Sequence, residues 1–379
     1  MKIGIFGGTF NPIHEGHLKV AKSVHDQMGL DLILMIPTYK TPGNKFDPER
    51  IDSMHRYNMV VAAVEETKWA WLQVSDIEVK SHQLSYTYLT VEKLQRKYPK
   101  DELFFIMGDD QFKGFKSWRN PDLICDMADL IIYKRGKGLK KIPHQEGIHL
   151  LGEETFDVSS TEILTKLEWD KIPPATRKYI AKHRLYLKTL AFKLLKQERY
   201  QHAIATAVNA KRLAKLNHYS NGKKAYDAGL AHDLFKLYSN RYLLEFYNQH
   251  SAQYLIPPVK ALHGYCVALW LEQEYGLKDQ EFLNAVRRHT IPSVDEGLLD
   301  KIIYVADKTS MDRKGDDIFV LRKLAYSNLD LTFEKIFKAS TMRLIAHDVP
   351  LDKETQAAYT KFFNIKSKDQ EYGTLKKLN

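Results

Sequence analysis

The chain has few of the features that characterise secreted or membrane-bound proteins. Only two cysteines occur in 379 residues, Cys125 and Cys266, and they lie far apart, outside any metal-ligand spacing. We therefore expect both to be reduced and buried, as in a cytosolic protein. The N-terminus shows no signal-peptide pattern, and no apolar run is long enough to span a membrane. The sequence predicts a cytoplasmic protein that does not associate with membranes.

The chain also lacks a long block of lysine and arginine, although its net charge is +10. Such an excess suits anionic ligands such as nucleotides, and it also suits nucleic acid. Because the basic residues are scattered, we expect small-molecule nucleotides rather than nucleic acid as partners. The hydrophobic content of 44% is ordinary for a globular chain with a core. A length of 379 residues favours two domains, with three as the alternative. The oligomeric state, a homo-oligomer included, stays open.

Strand and helix patterns alternate in the first half of the chain. Strand-like runs occupy residues 2–6, 30–37, 71–74, 103–108 and 130–134, and helix-like runs occupy residues 16–28, 48–65, 86–98 and 121–127. This alternation predicts an α/β domain, a Rossmann-like doubly wound parallel sheet with helices on both faces. In such sheets the ligand binds beyond the carboxyl ends of the strands.

A turn follows the first predicted strand and carries residues suited to phosphate. Gly7 and Gly8 have no Cβ, so the backbone can turn tightly and approach a ligand closely. His14 and His17 come at the start of the next helix, where free N–H groups and the helix dipole favour anions. An isolated pair of this spacing is more often two helix-cap histidines, but the preceding strand and glycines favour a polyphosphate site.

These residues carry a resemblance to a known family. The stretch GGTFNPIHEGHL (7–18) resembles the phosphate-binding signature of nucleotidyltransferases, and more narrowly that of bacterial nicotinate-nucleotide adenylyltransferases. Later stretches resemble that family in order: PTYKTPGNK (37–45), SYTYLTVEKL (85–94), FIMGDDQF (105–112), Trp118, DVSSTEI (157–163) and IPPATRKYIAKHRLYL (172–187). The resemblance implies ATP- or substrate-binding roles for Gly7, Gly8, Thr9, Phe10, Lys45, Ser85, Tyr86, Thr87, Gly108, Asp109, Asp110, Trp118, Ser159, Ser160 and Thr161.

The resemblance also implies a reaction for the first domain, residues 1–187. Adenylyl transfer from ATP to nicotinate mononucleotide would give nicotinate adenine dinucleotide and pyrophosphate, a step of NAD biosynthesis. His14 and His17 would be catalytic, with His17 stabilising charge at the α-phosphorus, and Mg²⁺ would screen the triphosphate. Trp118 would stack on the pyridine ring. A related adenylyl- or cytidylyltransferase with another acceptor is the competing interpretation.

Several features of the first half leave alternatives open. Asp109 and Asp110 could simply cap a helix, Trp118 could belong to the core, and residues 159–161 could be only an N-cap. The sequence departs from the family pattern in three places. Asn11 stands where Asp is usual, Asn44 where His is frequent, and Leu164 where Arg contacts phosphate. Lys166 or Arg177 could take over that contact.

From about residue 188 to the C-terminus the pattern is almost wholly helical, which predicts a second, all-α domain at residues 188–379. Histidines and aspartates recur within its helix-like runs: His202, His232, Asp233, His263, His289 and Asp307. A single such histidine is most often a satisfied interior residue. This many, including an adjacent His-Asp pair, favours a metal centre inside a helical bundle.

The same stretches resemble the HD-domain phosphohydrolases, and more narrowly a bacterial family of symmetrical diadenosine tetraphosphatases with two iron ions. The similar segments are RYQHAIATAVNAKRLA (199–214), AGLAHDLFK (228–236), LHGYCVALWL (262–271), AVRRHTIPS (285–293) and KIIYVADKTS (301–310). The resemblance implies that His202, His232, Asp233 and Asp307 hold one metal, and that Asp233, His263 and His289 hold the second. Iron is the first expectation and manganese the second.

The second domain is expected to hydrolyse diadenosine tetraphosphate to two ADP, with Asp233 and Lys236 in catalytic roles. Lys236 would contact a substrate phosphate, although a solvated lysine is an equally good interpretation. Asp312 and Arg313 are weaker candidates for phosphate contacts. Two alternatives stay open for this half: a nucleotidase or other phosphomonoesterase, and a regulatory or RNA-binding module that holds metal without turnover.

Overall fold

The computed structural model describes residues 1–42, 48–135, 145–155, 158–252, 256–347 and 353–363. Within it the chain divides into two units, Met1–Leu185 and Tyr186–Asn379. Each unit has its own architecture, and each is built on a different pattern of hydrophobic residues.

A parallel sheet of six strands forms the centre of the first unit. Its strands lie in the order β3-β2-β1-β4-β5-β6. The strand β1 pairs with β2 on one side and with β4 on the other, so the strand order reverses at β1. This reversal is the switch point at which doubly wound sheets bind ligands. The strand bounds are β1 Lys2–Gly8, β2 Leu32–Pro37, β3 Leu72–Val74, β4 Glu102–Gly108, β5 Asp129–Lys134 and β6 Ile148–Thr155.

Helices cover both faces of this sheet, which confirms the predicted fold class. Ile3 and Ile5 point to one face, where they share a buried cluster with Val91 and Leu94 of α3 and Ile124 of α5. Helix α1 contacts β2, and helix α2 contacts β2 and β3. The helices of this unit are α1 Glu15–Met28, α2 Ser53–Thr67, α3 Thr87–Lys97, α4 Asp109–Phe112, α5 Pro121–Met127, α6 Ser160–Lys166 and α7 Pro174–His183.

Two elements of the first unit differ from the sequence-based prediction. The sixth strand, Ile148–Thr155, was missed because it is an edge strand in which polar residues interrupt the apolar pattern. Helix α2 begins five residues later than predicted. Asp52 is the N-cap residue that starts the helix, because its side chain accepts a hydrogen bond from the Met54 backbone N–H at 2.8 Å.

The second unit consists of helices, and its described residues contain no strand. Helices α9 and α10 pack with their backbones close together, since a Cβ on Gly229 would lie only 2.6 Å from Ala207 Cα. The buried Asn209 of α9 donates hydrogen bonds to Ala306 O and Thr309 Oγ1 of α14, at 3.2 and 3.0 Å. The prediction of an all-α domain is confirmed. The helices are α8 Leu187–Leu194, α9 Gln197–Leu216, α10 Gly222–Ala231, α11 Asn240–His250, α12 Val259–Gln273, α13 Gln280–Arg288, α14 Leu298–Thr309, α15 Asp316–Ser327, α16 Leu329–Ala346 and α17 Lys353–Phe363.

The prediction that both cysteines are buried is half wrong. Cys266 is buried in α12, whereas Cys125 is exposed. Helix α5 turns Ile124 into the core, and the neighbouring side chain therefore faces outward. Among the described residues, no helix is both long enough and apolar enough to cross a membrane.

Candidate functional sites

A cleft of about 670 Å³ lies at the carboxyl ends of β1 and β2, within the size range of small-molecule sites. Apolar side chains of the sheet, Ile5, Ile36 and Phe105, form part of its lining. Seven of the predicted binding residues also line it: Gly7, Gly8, Thr9, Ser85, Tyr86, Thr87 and Trp118. The fold therefore brings together three segments that lie far apart in the sequence.

A buried arginine holds the loops of this cleft in place. Arg56 of α2 donates to the carbonyl oxygens of Thr9, Thr38 and Tyr39 at 2.8, 2.6 and 2.9 Å, so it joins the loops that follow β1 and β2. Ser85 Oγ in turn accepts the Tyr39 N–H at 3.0 Å. Sequence reasoning missed Arg56, because nothing in the local pattern of α2 distinguishes it from a surface arginine.

Aromatic residues form one wall of the cleft. Trp118 is half-buried and meets Phe105 and Phe115 edge-on, with ring centroids 6.1 and 5.5 Å apart. It thus packs against the core and also borders the cleft. The guanidinium of Arg119, another lining residue that the sequence analysis missed, lies 4.8 Å from the centre of the Tyr86 ring. This wall combines flat apolar rings with one positive charge.

His14 and His17 lie side by side at the start of α1. The rings stack with centroids 3.7 Å apart, and the His14 backbone N–H donates to His17 Nδ1 at 3.2 Å. Burial lowers the pKa of His14 to about 3, helped by the charges of Arg135 and Lys171. Burial and the neighbouring His14 lower the pKa of His17 well below its usual range. Both rings are therefore neutral at neutral pH, and because His17 Nδ1 accepts a hydrogen bond, its proton resides on Nε2.

Phe10 belongs to the core beneath the glycine turn. Its side chain is buried and packs against Phe6 and His17, with ring centroids 5.8 and 5.0 Å away. A Cβ on Gly8 would come within 3.1 Å of the Phe10 ring. Phe10 can therefore serve a ligand through its backbone, while its ring supports the turn from below.

Asp109 and Asp110 follow Gly108 at the end of β4, and both bond to Arg135. The buried Asp109 accepts the Arg135 backbone N–H at 3.0 Å, and Asp110 lies 3.4 Å from Arg135 Nη1. Arg135 Nη2 also donates to Val158 O at 3.1 Å. These three residues do not line the 670 Å³ cleft. Sequence reasoning missed Arg135, whose only local signal is its position just after a strand.

The serine segment before α6 contacts the turn that carries the histidines. Ser159 is the N-cap residue of α6, and Ser160 Oγ donates to Pro12 O at 2.9 Å. Leu164 is buried and so fills the core. Lys166 lies 3.7 Å from Glu162 in an exposed ion pair. Lys45 lies outside the described residues.

In the second unit, five helices or their C-terminal ends (α9, α10, α12, α13 and α14) deliver histidines and aspartates to one buried cluster. Ligand atoms of His202, His232 and Asp233 all lie within 4.8 Å of one another, and so do those of Asp233, His263 and His289. Asp233 belongs to both groups: its Oδ1 is 3.1 Å from His263 Nε2 and 3.6 Å from His289 Nε2. Asp307 joins the cluster through its Oδ1, 2.9 Å from His202 Nε2.

The chemistry of this cluster fits bound metal. His232 and His289 each direct Nδ1 at a backbone carbonyl, Gly229 O and Val286 O, at 2.7 Å, so Nδ1 carries the proton and the Nε2 lone pair faces Asp233. His232 Nε2 is buried and has no hydrogen-bond partner among the described residues. A carboxylate among imidazole nitrogens is a donor set for divalent metals.

Basic side chains surround the cluster. Lys236 Nζ lies 3.3 Å from His263 Nε2. Arg313 Nη2 donates to Asp307 Oδ1 at 2.7 Å. Lys308, which sequence reasoning missed, donates to His289 O at 2.8 Å and to Asp307 Oδ2 at 3.2 Å. Asp312, predicted as a phosphate contact, instead meets His202 Nδ1 at 2.8 Å.

Comparison with known proteins defines the class of each part. Residues 5–166 match the family model of cytidylyltransferase-like domains, and residues 199–312 match the HD domain. The chain thus joins a nucleotidyltransferase-type domain to an HD domain, and an HD domain implies a divalent metal.

Relatives with the same combination match most of the chain. A Mycoplasma pneumoniae "Probable nicotinate-nucleotide adenylyltransferase/Ap4A hydrolase" is 31% identical over 342 residues, covering 88% of this chain and 97% of that protein. A Mycoplasma genitalium protein of the same name is 31% identical over 337 residues, with 86% and 94% covered. A Bacillus pumilus "Probable nicotinate-nucleotide adenylyltransferase" is 39% identical over 190 residues, covering 49% of this chain and 98% of that protein. The chain belongs to the nicotinate-nucleotide adenylyltransferase/Ap4A hydrolase family.

Proposed function

We propose that the chain is a bifunctional enzyme of nucleotide metabolism. Residues 1–187 transfer the adenylyl group of ATP to nicotinate mononucleotide, giving nicotinate adenine dinucleotide and pyrophosphate. Residues 188–379 hydrolyse diadenosine tetraphosphate (Ap4A) to two ADP. The observation that carries the proposal is the similarity to the two Mycoplasma relatives, which spans both parts of the chain.

In the first reaction, a phosphate oxygen of the mononucleotide attacks the α-phosphorus of ATP and pyrophosphate leaves. Such transfer depends on positioning and on stabilisation of charge, with no covalent nucleophile on the protein. The cleft supports this role, because Trp118 and Tyr86 offer flat surfaces to a pyridine ring and Gly7 and Gly8 leave room for phosphates. Mg²⁺ would be held largely by phosphate oxygens and water.

His17 would stabilise the charge that grows at the α-phosphate. Its Nδ1 accepts a backbone N–H, so its Nε2 proton is available to donate to a phosphate oxygen. His14 stacks on it and fixes its orientation. The α6 segment around Ser160 and Thr161 would offer hydroxyls and N–H groups to the remaining phosphates.

The family's arginine contact to phosphate needs a replacement, because Leu164 is buried in the core. We assign this contact to Arg135 rather than to Lys166. The Arg135 charge lowers the pKa of both His14 and His17, so the guanidinium lies within electrostatic reach of the proposed reaction centre. Lys166, by contrast, is paired with Glu162 at the surface.

In the second reaction, the ligand sets are His202, His232, Asp233 and Asp307 for one ion, and Asp233, His263 and His289 for the other. Two ions held there would supply an activated water and stabilise the attacking and leaving oxygens. We expect iron first and manganese second. Lys236, adjacent to His263, would bind a substrate phosphate.

The test of the second activity is to resolve the products of Ap4A after incubation with iron- or manganese-loaded protein. ADP as the sole product would establish symmetrical hydrolysis. AMP with ATP would contradict the proposed symmetrical attack. Release of orthophosphate from mononucleotides, without Ap4A turnover, would favour a phosphomonoesterase. Metal binding without any turnover would favour a regulatory or RNA-binding module.

A further inference from the structure

Three histidines of the cluster, His202, His232 and His289, differ in what their Nδ1 atom contacts. His232 and His289 use Nδ1 to bond to neutral backbone carbonyls. His202 instead directs Nδ1 at a carboxylate, Asp312 Oδ2, at 2.8 Å, while its Nε2 faces Asp307. A carboxylate partner draws the Nδ1 proton more strongly than a carbonyl does, which makes Nε2 the more basic donor. Of these three histidines, His202 is the one whose Nδ1 partner makes it the most electron-rich ligand.

The loop that presents Asp312 is held in a fixed conformation. It connects α14 to α15. Arg322 of α15 donates to the carbonyl oxygen of Thr309, the last residue of α14, and to those of Ser310 and Arg313 in the loop, at 2.7, 2.6 and 2.9 Å. Arg313 also bonds to Asp307. One third of the Asp312 side-chain surface is exposed, so its contact with His202 is not a buried structural ion pair. These hydrogen bonds hold the loop so that the Asp312 carboxylate contacts His202.

We infer that Asp312 is a positioning residue for the metal ion held by His202, His232, Asp233 and Asp307. It fixes the His202 ring with the Nδ1 proton directed outward and raises the affinity of this ion. The inference rests on the proposed metal site.

The experiment is a titration of the full-length, metal-depleted protein with Mn²⁺ alone, followed by calorimetry and by electron paramagnetic resonance. The variants are Asp312→Ala and Asp312→Asn, with Asp316→Asn as the matched control, an exposed aspartate four residues along. Loss of a histidine's carboxylate partner weakens metal binding roughly 10- to 100-fold. We expect that loss in Asp312→Ala for one ion only, a smaller loss in Asp312→Asn, and none in Asp316→Asn.

A double-mutant cycle separates positioning from general structural support. In a His202→Ala background, Asp312→Ala should weaken Mn²⁺ binding no further, because Asp312 acts through His202. A further independent loss would overturn the inference, and so would unchanged affinity in the single variant or equal weakening of both ions. The titration needs no nucleotide. If the protein did not hydrolyse Ap4A, the proposed function would be contradicted, but the role of Asp312 in metal binding would not.

Discussion

The imidazole rings of His14 and His17 stack at a centroid distance of 3.7 Å, with His14 N–H donating to His17 Nδ1. This arrangement fixes the neutral tautomer of His17 and directs its Nε2 proton away from the backbone. It also places two titratable groups where water is largely excluded. Catalysis and acid stability of the first unit should both depend on this pair.

Replacing His17 with alanine should lower adenylyl transfer at least about 100-fold, because a donor to the growing phosphate charge is lost. Ap4A hydrolysis by the same protein should be unchanged. His25→Ala, a histidine in the last turn of the same helix, is the matched control. The measurement is the rate of dinucleotide formation beside that of ADP formation. A His17→Ala protein that transfers adenylyl groups at the normal rate would contradict the assignment.

Replacing Asp233 with alanine should abolish hydrolysis and spare adenylyl transfer. Asp233 is in contact with ligands of both ions, so metal content should fall towards zero rather than to half. Glu245→Ala, an exposed carboxylate on the following helix, controls for the loss of one negative charge. Metal analysis and product chromatography check the prediction. Loss of both activities in a folded variant would show that the two sites are not independent.

Acid should destabilise the first unit through His14. Its pKa in the folded protein is about 3, below the ordinary value of 6.5, so the unfolded chain binds the proton more readily. The stability that the neutral His14 contributes to the folded state is fully present above about pH 6.5 and is lost as the pH falls towards 3. At pH 5 the loss is about 2 kcal/mol. In denaturant unfolding, the difference in free energy between wild type and His14→Asn should become smaller as the pH falls through this range.

Arg119 should favour a substrate with a negatively charged pyridine substituent. Its guanidinium lies over the Tyr86 ring at the wall of the cleft. A carboxylate on the pyridine ring of a bound substrate would be attracted to this positive charge. Arg119→Gln should raise the KM for nicotinate mononucleotide about tenfold, leave that for nicotinamide mononucleotide unchanged and preserve kcat. Lys116→Gln, an exposed lysine close by, is the control. Equal effects on both substrates would rule out this role.

The sequence by itself determined the two architectures and the residue types of both sites. Short apolar runs alternating with amphipathic helices specify a parallel sheet, and unbroken helical periodicity specifies a bundle. These signals are local, since each depends on neighbours within a few residues. The resemblance then supplied which glycines, histidines and aspartates to examine.

Only the tertiary structure decided which side chains support those residues. Asp312 meets His202 across 110 positions of sequence, and Arg56 meets Thr9 across 47. It also decided that Leu164 and Phe10 lie in the core and that Cys125 is exposed. Periodicity specifies the face of an element on which a side chain lies. The partner it meets depends on how distant elements pack, and no local pattern contains that information.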